Sequence, residues 1–400
     1  MLEGIRVVDL GNNIAGPCVS TILAGLGAEV VKVERPGRGD DSRNAPPYVG
    51  ASGVSFAPDG NEDAVSIAFL KRNSGKRSVE VNLHTEAGKK AFRRILGRAD
   101  VLVENFRPGV LAKLGFTEEA LREVNPGLIV CSVTGFGQTG PKRDWLAYNT
   151  MIVAMSSMLS NRESGTKPAV LGGVMGQSSG PALADWCGAL YGAIGVLGAL
   201  VEREKNVREG RDGRGSRIDL AMFEALATLV WESNVDLDST AYPAAAGRRA
   251  APWNEYPAAD GHVFICVYTD RHWELLRDVM GISGDDPRFA DRIARITHND
   301  ELDLAISQWT KIRKRDDIVN QLQEAGVAAS PVLSAQELLD DEHVRSRGSF
   351  VPLNHPTLGE IDDVHAAAFP LWVNGKRLEY RSGPPALGNA NAEWLTDDDE

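Results

Sequence analysis

Between residues 5 and 133, short and almost wholly apolar runs alternate with longer amphipathic ones. The apolar runs are Ile5-Arg6-Val7-Val8-Asp9-Leu10, Glu29-Val30-Val31-Lys32-Val33-Glu34, Val101-Leu102-Val103-Glu104 and Leu128-Ile129-Val130-Cys131-Ser132-Val133. The stretches between them, residues 18–27, 86–98 and 117–124, read as helices. Strands apolar on both faces must be covered on both faces, and crossover helices do this for a parallel sheet. The pattern therefore predicts an α/β chain with a Rossmann-like parallel sheet. A nicotinamide dehydrogenase is disfavoured, because the first turn, Gly11-Asn12-Asn13-Ile14-Ala15-Gly16-Pro17, is no GxGxxG. Glu34 ends the second strand where a ribose-binding acid would stand, but without that glycine fingerprint the sign is weak.

Further along, a charged patch at 202–217 reads as an exposed connection, and Ile218–Leu229 as a buried helix. Residues 239–252 read as a linker rich in Ala, Pro and Arg. A strand at His262–Val267 and helices at 271–280, 300–311 and 315–324 then form a smaller α/β domain, and a helix is expected at 335–345. The expected division is 1–200 for the first part of the large domain, 201–229 for a connecting helical segment, 230–330 for the small domain and 331–400 for a returning segment. The formal charge of -12, partly from the Asp397-Asp398-Asp399-Glu400 tail, disfavours a nucleic-acid partner but leaves room for a local basic pocket. The chain enters a strand almost at its first residue, so no signal peptide is expected. The apolar run at 187–201 is read as too short to cross a membrane. Cys18, Cys131, Cys187 and Cys266 form no CxxC, which points to buried thiols and a cytoplasmic location rather than to disulfides or a metal site.

The chemistry concentrates in Pro181-Ala182-Leu183-Ala184-Asp185-Trp186-Cys187-Gly188. Gly188, Gly192, Gly195 and Gly198 follow at helical spacing, so that neighbouring structure can approach closely. Pro181 suits a first turn and Asp185 an N-cap. A carboxylate in the positive end of a buried helix is expected to stay ionised and to act as a nucleophile. The alternative is an ordinary cap. No histidine lies between residues 85 and 261, so a Ser-His-Asp triad would need a distant partner, and no HExxH is present. Arg35, Lys71, Arg72, Lys76, Arg77 and Arg107 cluster near strand ends, a basic rim suited to a ligand with several phosphates. Thr134-Gly135-Phe136-Gly137-Gln138-Thr139-Gly140 permits close ligand approach, and Tyr148 and Asn149 stand where they could donate to a bound acyl group or simply open a helix.

Taken together these segments resemble the class III CoA-transferase family, which includes carnitine, bile-acid and formyl CoA-transferases. The blocks that carry the likeness run over nearly the whole chain. They include residues 2–10, Ala15-Gly16-Pro17, Leu26–Glu34, Gly75-Lys76-Arg77-Ser78-Val79, Glu104-Asn105-Phe106-Arg107-Pro108-Gly109, Ala184-Asp185, residues 213–222 and Pro384-Pro385-Ala386-Leu387-Gly388. The resemblance implies Asp185 as the nucleophile of an aspartyl anhydride and aspartyl-CoA thioester cycle. It implies CoA contacts at Ile14, Ala15, Arg35, Val81, His84, Asn105, Phe106 and Lys113. Coenzyme A and acyl-CoA enter as substrates, with no permanent cofactor and no metal. It also implies a dimer of two interlocked, ring-like chains, with a heterodimer of paralogous subunits as the variant.

Two departures bear on substrate. No glycine run like the lid of formyl-CoA transferase stands in 240–260, which counts against oxalate and formate. The family's racemases carry a histidine where this chain has Ala147-Tyr148-Asn149, so racemisation lacks its base. Three readings remain: a CoA-transferase between two carboxylic acids, an acyl-CoA racemase or isomerase, and a non-catalytic subunit of a hetero-oligomer. Trp145, Tyr148 and Met155 are compatible with a bulky acyl group and equally with packing.

Overall fold

The computed structural model describes residues 1–50, 53–57, 64–156, 158, 180–234, 250–355 and 358–395. Most of the expected linker at 239–252, part of the 240–260 stretch and the acidic tail lie outside them. The chain divides into two compact units, Met1–Trp231 with Arg345–Glu400, and Glu232–Val344.

The first unit is built on six strands: β1 (Arg6–Asp9), β2 (Glu29–Glu34), β3 (Lys76–Glu80), β4 (Val101–Glu104), β5 (Ile129–Thr134) and β6 (Arg217–Ala221). Every neighbouring pair is parallel, in the order β3-β2-β1-β4-β5-β6. Consecutive valines serve opposite faces. Val7, Val30 and Val101 belong to one core, with helix α1 (Ala15–Gly25). Val8, Val31 and Leu102 belong to a second, with Phe92, Ile95 and Leu96 of α2 (Glu86–Gly97) and Leu121 of α3 (Glu118–Val124). The strand order reverses between β1 and β4. In an open parallel sheet this switch point is where ligands bind, outside the carboxyl ends of the strands.

Two expected elements differ. Ile218–Ala221 is not helical but an edge strand: Ile218 and Leu220 pack on the core while Arg217 and Asp219 do not, a two-residue period. The helix after it, α6, runs from Met222 to Asn234. The expected helix at 335–345 is two short ones, Ala335–Asp340 and Glu342–Ser346, separated at the extended Asp341. The opposite sheet edge, β3, is covered by the chain's last segment. Asn389 and Asn391 side chains accept from Ser78 N and Glu80 N at 2.8 Å, and Ala390 N donates to Ser78 O. An unpaired edge is thereby closed.

Between α4 (Asn149–Met155) and β6 runs α5, Leu183–Arg208. Its glycines are explained in part. A Cβ on Gly192 would lie 2.8 Å from Val19 Cγ2 of α1, one on Gly188 3.0 Å from Met222 Cγ, and one on Gly195 3.3 Å from Ile218 Cγ2. Gly198 faces open space. By length and composition α5 is long and apolar enough to cross a membrane, so the short run at 187–201 understated it. Of its most apolar window, 56% is buried against the sheet and α1, as in a core helix.

The second unit folds a three-stranded antiparallel sheet, Trp253–Ala258, Gly261–Cys266 and Ala328–Pro331, under helices Asp270–Met280, Asn299–Thr310 and Arg315–Glu324. Its core includes Tyr256, Trp273, Leu302 and Ile318. Buried Arg295 donates to Asp270 Oδ1 at 2.6 Å and to Ala251 O at 3.1 Å.

Charge is buried where the carboxyl end of β1 meets the middle of β2 and the start of β3. Asp9, Lys32 and Lys76 have no exposed side-chain surface. Lys76 Nζ meets Asp9 Oδ2 at 2.8 Å and Lys32 Nζ meets Asp40 Oδ2 at 2.8 Å, with Lys32 and Asp9 3.6 Å apart. Burial works against the charge on Asp9, but Lys32 and Lys76 outweigh it and hold the carboxyl below its usual range. Removing one partner of such a group leaves uncompensated charge, at a cost of about 3–5 kcal/mol. Asp9→Ala is therefore expected to lose stability of that order in urea unfolding. Arg122→Ala, which breaks an exposed pair with Glu118 one helical turn away, should lose about 0.5 kcal/mol. Equal losses in the two variants would show that the buried network carries no special weight.

Candidate active site

Two loops meet at the switch point. Asn105, just after β4, accepts from Asn12 N at 2.8 Å through Oδ1 and donates to Asn12 O at 2.9 Å through Nδ2. Gly16 makes room for that amide, since a Cβ there would stand 3.1 Å from Asn105 Cγ. Glu104 Oε2 accepts from Phe106 N at 2.8 Å and so orients the next residue. Beside this clamp lies a cavity of about 500 Å³ over the carboxyl ends of β1–β4. Its walls include Asn12, Arg35, Arg38, Asn82, His84 and Phe106.

The expected CoA contacts are distributed as follows. Arg35, Val81, His84 and Phe106 line the cavity, and Asn105 holds its edge. Ile14 and Ala15 open α1 and pack on the core without lining it. Lys113 ends the short helix Val110–Lys113, is exposed, and stands next to the lining residue Leu114. Arg38 and Asn82 also line the cavity, although the motif does not single them out. Arg38 follows Arg35 by three residues in a glycine-rich loop, which is the available sequence signal.

Several members of the basic rim are otherwise engaged. Lys76 is 1% exposed and lies within a strand, paired to Asp9. Arg77 pairs with Glu29 and Glu393. Arg107 donates to Asp144 O at 2.7 Å. Glu34 is no free ribose acid: Arg43 grips both its oxygens at 2.8 Å, and Ser78 Oγ donates to it at 2.6 Å.

Asp185 is 8% exposed and occupies the third position of α5; the N-cap is Ala182, whose side chain makes no capping bond. The helix start is held from outside. Asn149 Oδ1 accepts from Ala184 N at 2.8 Å, and Asn149 Nδ2 donates to Pro181 O at 3.3 Å. The amide of Asn149 is thus bonded to the turn that carries Asp185, while Tyr148 beside it is 68% exposed. Leu183 N donates to Pro181 O, which leaves the N–H of Asp185 as the only one in the opening three positions with no partner among the described residues. Burial pushes the Asp185 carboxyl up to about 6, and the positive charge of Arg72 opposes that rise. Desolvation therefore outweighs the helix terminus that was expected to keep the acid fully ionised. At neutral pH most molecules still carry the charge, in a setting that solvates it poorly. Such a carboxylate is a stronger nucleophile than one in water. Among the described residues no cluster of three His, Cys, Asp or Glu side chains could hold a metal ion.

The comparisons agree with this geometry. CoA-transferase family III matches residues 2–391. The succinyl-CoA:mesaconate CoA-transferase of Haloarcula marismortui is 34% identical over 98% of this chain and 95% of its own. The succinate–glutarate CoA-transferase of Agrobacterium fabrum is 33% identical over 99% and 95%. The crystal structure of a CAIB/BAIF family protein from Brucella suis superposes with a TM-score of 0.79 at 31% identity, covering 98% of this chain and 97% of that one. The chain belongs to CoA-transferase family III and is an enzyme of that class, acting in CoA transfer.

The raised pKa has a consequence for stability. Its folded value of about 6 stands above the ordinary 3.8, so the group favours folding when protonated, and that contribution is lost as pH rises from about 4 through about 6. Asp185→Asn removes the loss. It is expected to match wild type near pH 4 and to exceed it at pH 7.5 by on the order of 2–3 kcal/mol in urea unfolding. A variant less stable than wild type at pH 7.5 would show that the site solvates the carboxylate well.

Proposed function

We propose that Asp185 carries the acyl transfer through covalent aspartyl intermediates. The observation that carries this reading is a buried carboxylate with its pKa raised to about 6, in the first turn of a core helix. An Asp185 oxygen attacks the thioester carbonyl of the donor; the carbon–sulfur bond breaks and its electron pair leaves on CoA as thiolate, giving a mixed anhydride. The thiolate attacks the aspartyl carbonyl and expels the donor acid as carboxylate, leaving an aspartyl-CoA thioester. An acceptor carboxylate then repeats these steps in reverse, and the new acyl-CoA departs. Bonds to sulfur and oxygen exchange one for one, so thioester energy is kept and no nucleotide is consumed. Burial of Asp185 excludes water from the anhydrides, and its N–H can face an oxyanion.

The groove over β1–β4 is proposed to hold CoA, with Arg35, His84 and Arg38 toward the phosphates and Val81 and Phe106 against the apolar parts. Ile14, Ala15, Asn105 and Lys113 complete the proposed contacts, and Tyr148 and Asn149 border the acyl side. Succinyl-CoA is the donor we favour, because the two curated relatives above act on succinyl-CoA or succinate. A dimer is part of this reading. Leu190, Ile194 and Val201 of α5 are 53%, 61% and 69% exposed on one face of a helix whose other face is core, and an apolar face of this kind suits a second chain. A cytoplasmic location accords with the four free thiols.

Enzyme incubated with succinyl-CoA and quenched with borohydride or hydroxylamine is expected to yield a modified peptide containing Asp185, detected by mass spectrometry. Asp185→Ala should bind CoA and transfer nothing. Exchange that proceeds while this peptide stays unmodified would sink the mechanism.

A further inference from the structure

Asp185 loses its charge during the proposed cycle, and the cation whose field reaches it makes no ion pair among the described residues. Arg72 sits in the turn between Phe69 and Asn73. Its N–H donates to Phe69 O at 3.2 Å, and its carbonyl accepts from Thr21 Oγ1 of α1 at 2.5 Å. The next residue, Asn73, is fully buried, bonded to Phe69 O at 3.0 Å and to Lys76 Nζ at 2.8 Å. The turn is therefore fastened both to the buried charge network and to α1. That helix in turn packs on α5, with Val19 filling the gap left by Gly192. Cys18, between these elements, feels the charges of both Arg72 and Asp185.

Arg72 is half-buried. Among the described residues it makes no ion pair, and its charge acts on Asp185 without a contact. Arg43 and Arg77, by contrast, are committed elsewhere, to Glu34 and Glu29. A half-buried arginine with donors in a planar fork and no carboxylate paired to it among the described residues is a receptor for one.

We propose that Arg72 binds the carboxylate of the acceptor acid and presents it to the aspartyl thioester. This rests on the aspartyl cycle above. In the free enzyme the charges of Arg72 and Asp185 balance. Conversion of Asp185 to the neutral CoA thioester leaves Arg72 uncompensated in a partly dry setting, and an incoming carboxylate restores the balance through a bidentate pair. One oxygen of that carboxylate attacks the thioester carbon, the carbon–sulfur bond breaks, and the electron pair leaves on sulfur. Before the thioester forms, the negative charge of Asp185 repels the same carboxylate. The electrostatics thus impose the order of events: the acceptor is admitted only once CoA is on the enzyme. The donor acid leaves by the same site in the opposite sense.

The test uses the full-length enzyme at pH 8, where Asp185 is ionised, and follows exchange of labelled succinate into succinyl-CoA. Arg72→Gln is expected to raise the KM for succinate about tenfold or more, the loss of a charge-assisted pair, while the CoA adduct on the Asp185 peptide still forms and accumulates. Arg72→Lys, which keeps charge without the fork, should fall between Gln and wild type. An unchanged succinate KM in Arg72→Gln, with the adduct present, overturns the role of Arg72 and leaves the aspartyl cycle standing. Absence of the adduct in wild type overturns the cycle, and this inference with it. If Arg72→Gln fails to fold, an unchanged succinate KM in Arg72→Lys overturns the assignment.

Discussion

Two lysines and two aspartates, Asp9, Lys32, Asp40 and Lys76, meet out of water beside the carboxyl end of β1, and the positions of the site loops follow from them. Each ammonium also donates to a backbone carbonyl, Lys32 to Gly11 O and Lys76 to Pro17 O, both at 2.7 Å. Gly11 N and Asn13 N donate to Asp9 and Asp40 at 2.8 and 3.0 Å. The loop from Gly11 to Pro17 is thereby held at both ends. Buried ion groups add little net stability over an apolar core, but they tolerate no loose end. That property suits a place where a loop must hold one shape against a flexible ligand.

Asp185 follows the opposite logic. The network pairs its charges, whereas Asp185 is buried with only a distant cation to offset desolvation. The fold is therefore least comfortable at the proposed nucleophile. Close packing maintains this state: Gly188, Gly192 and Gly195 let α5 settle onto α1, β5 and β6, and Ala184 and Asp185 of its first turn are buried. Asn149 fixes the same turn from the side, so the helix start does not relax outward to solvate the acid.

Much of this was legible in the amino-acid order. Strands such as Glu29–Glu34 and Val101–Glu104, and helices such as Glu86–Gly97, announce themselves through local periodicity and caps like Thr85, whose side chain accepts from Gly88 N. Lys76 and Glu34 were not legible. Both look like ligand-binding charges at strand ends, and both are consumed by partners: Lys76 by Asp9, far away in sequence, and Glu34 by Arg43 across a folded loop. Ile218–Ala221 misled for a related reason. A short apolar run has no intrinsic preference strong enough to choose strand over helix, and the free edge of β5 made the choice.

The sequence by itself determined the class of fold and the family, and it singled out Asp185 as the candidate acid, because these depend on periodicity and on ordered blocks that local chemistry dictates. Tertiary structure alone decided which charges are free. It placed Arg72 within the field of Asp185, spent Lys76 on Asp9, and raised the pKa of Asp185. Coulomb energy and desolvation depend on distances through space and on the exclusion of water, and neither quantity is carried by the order of residues along a chain.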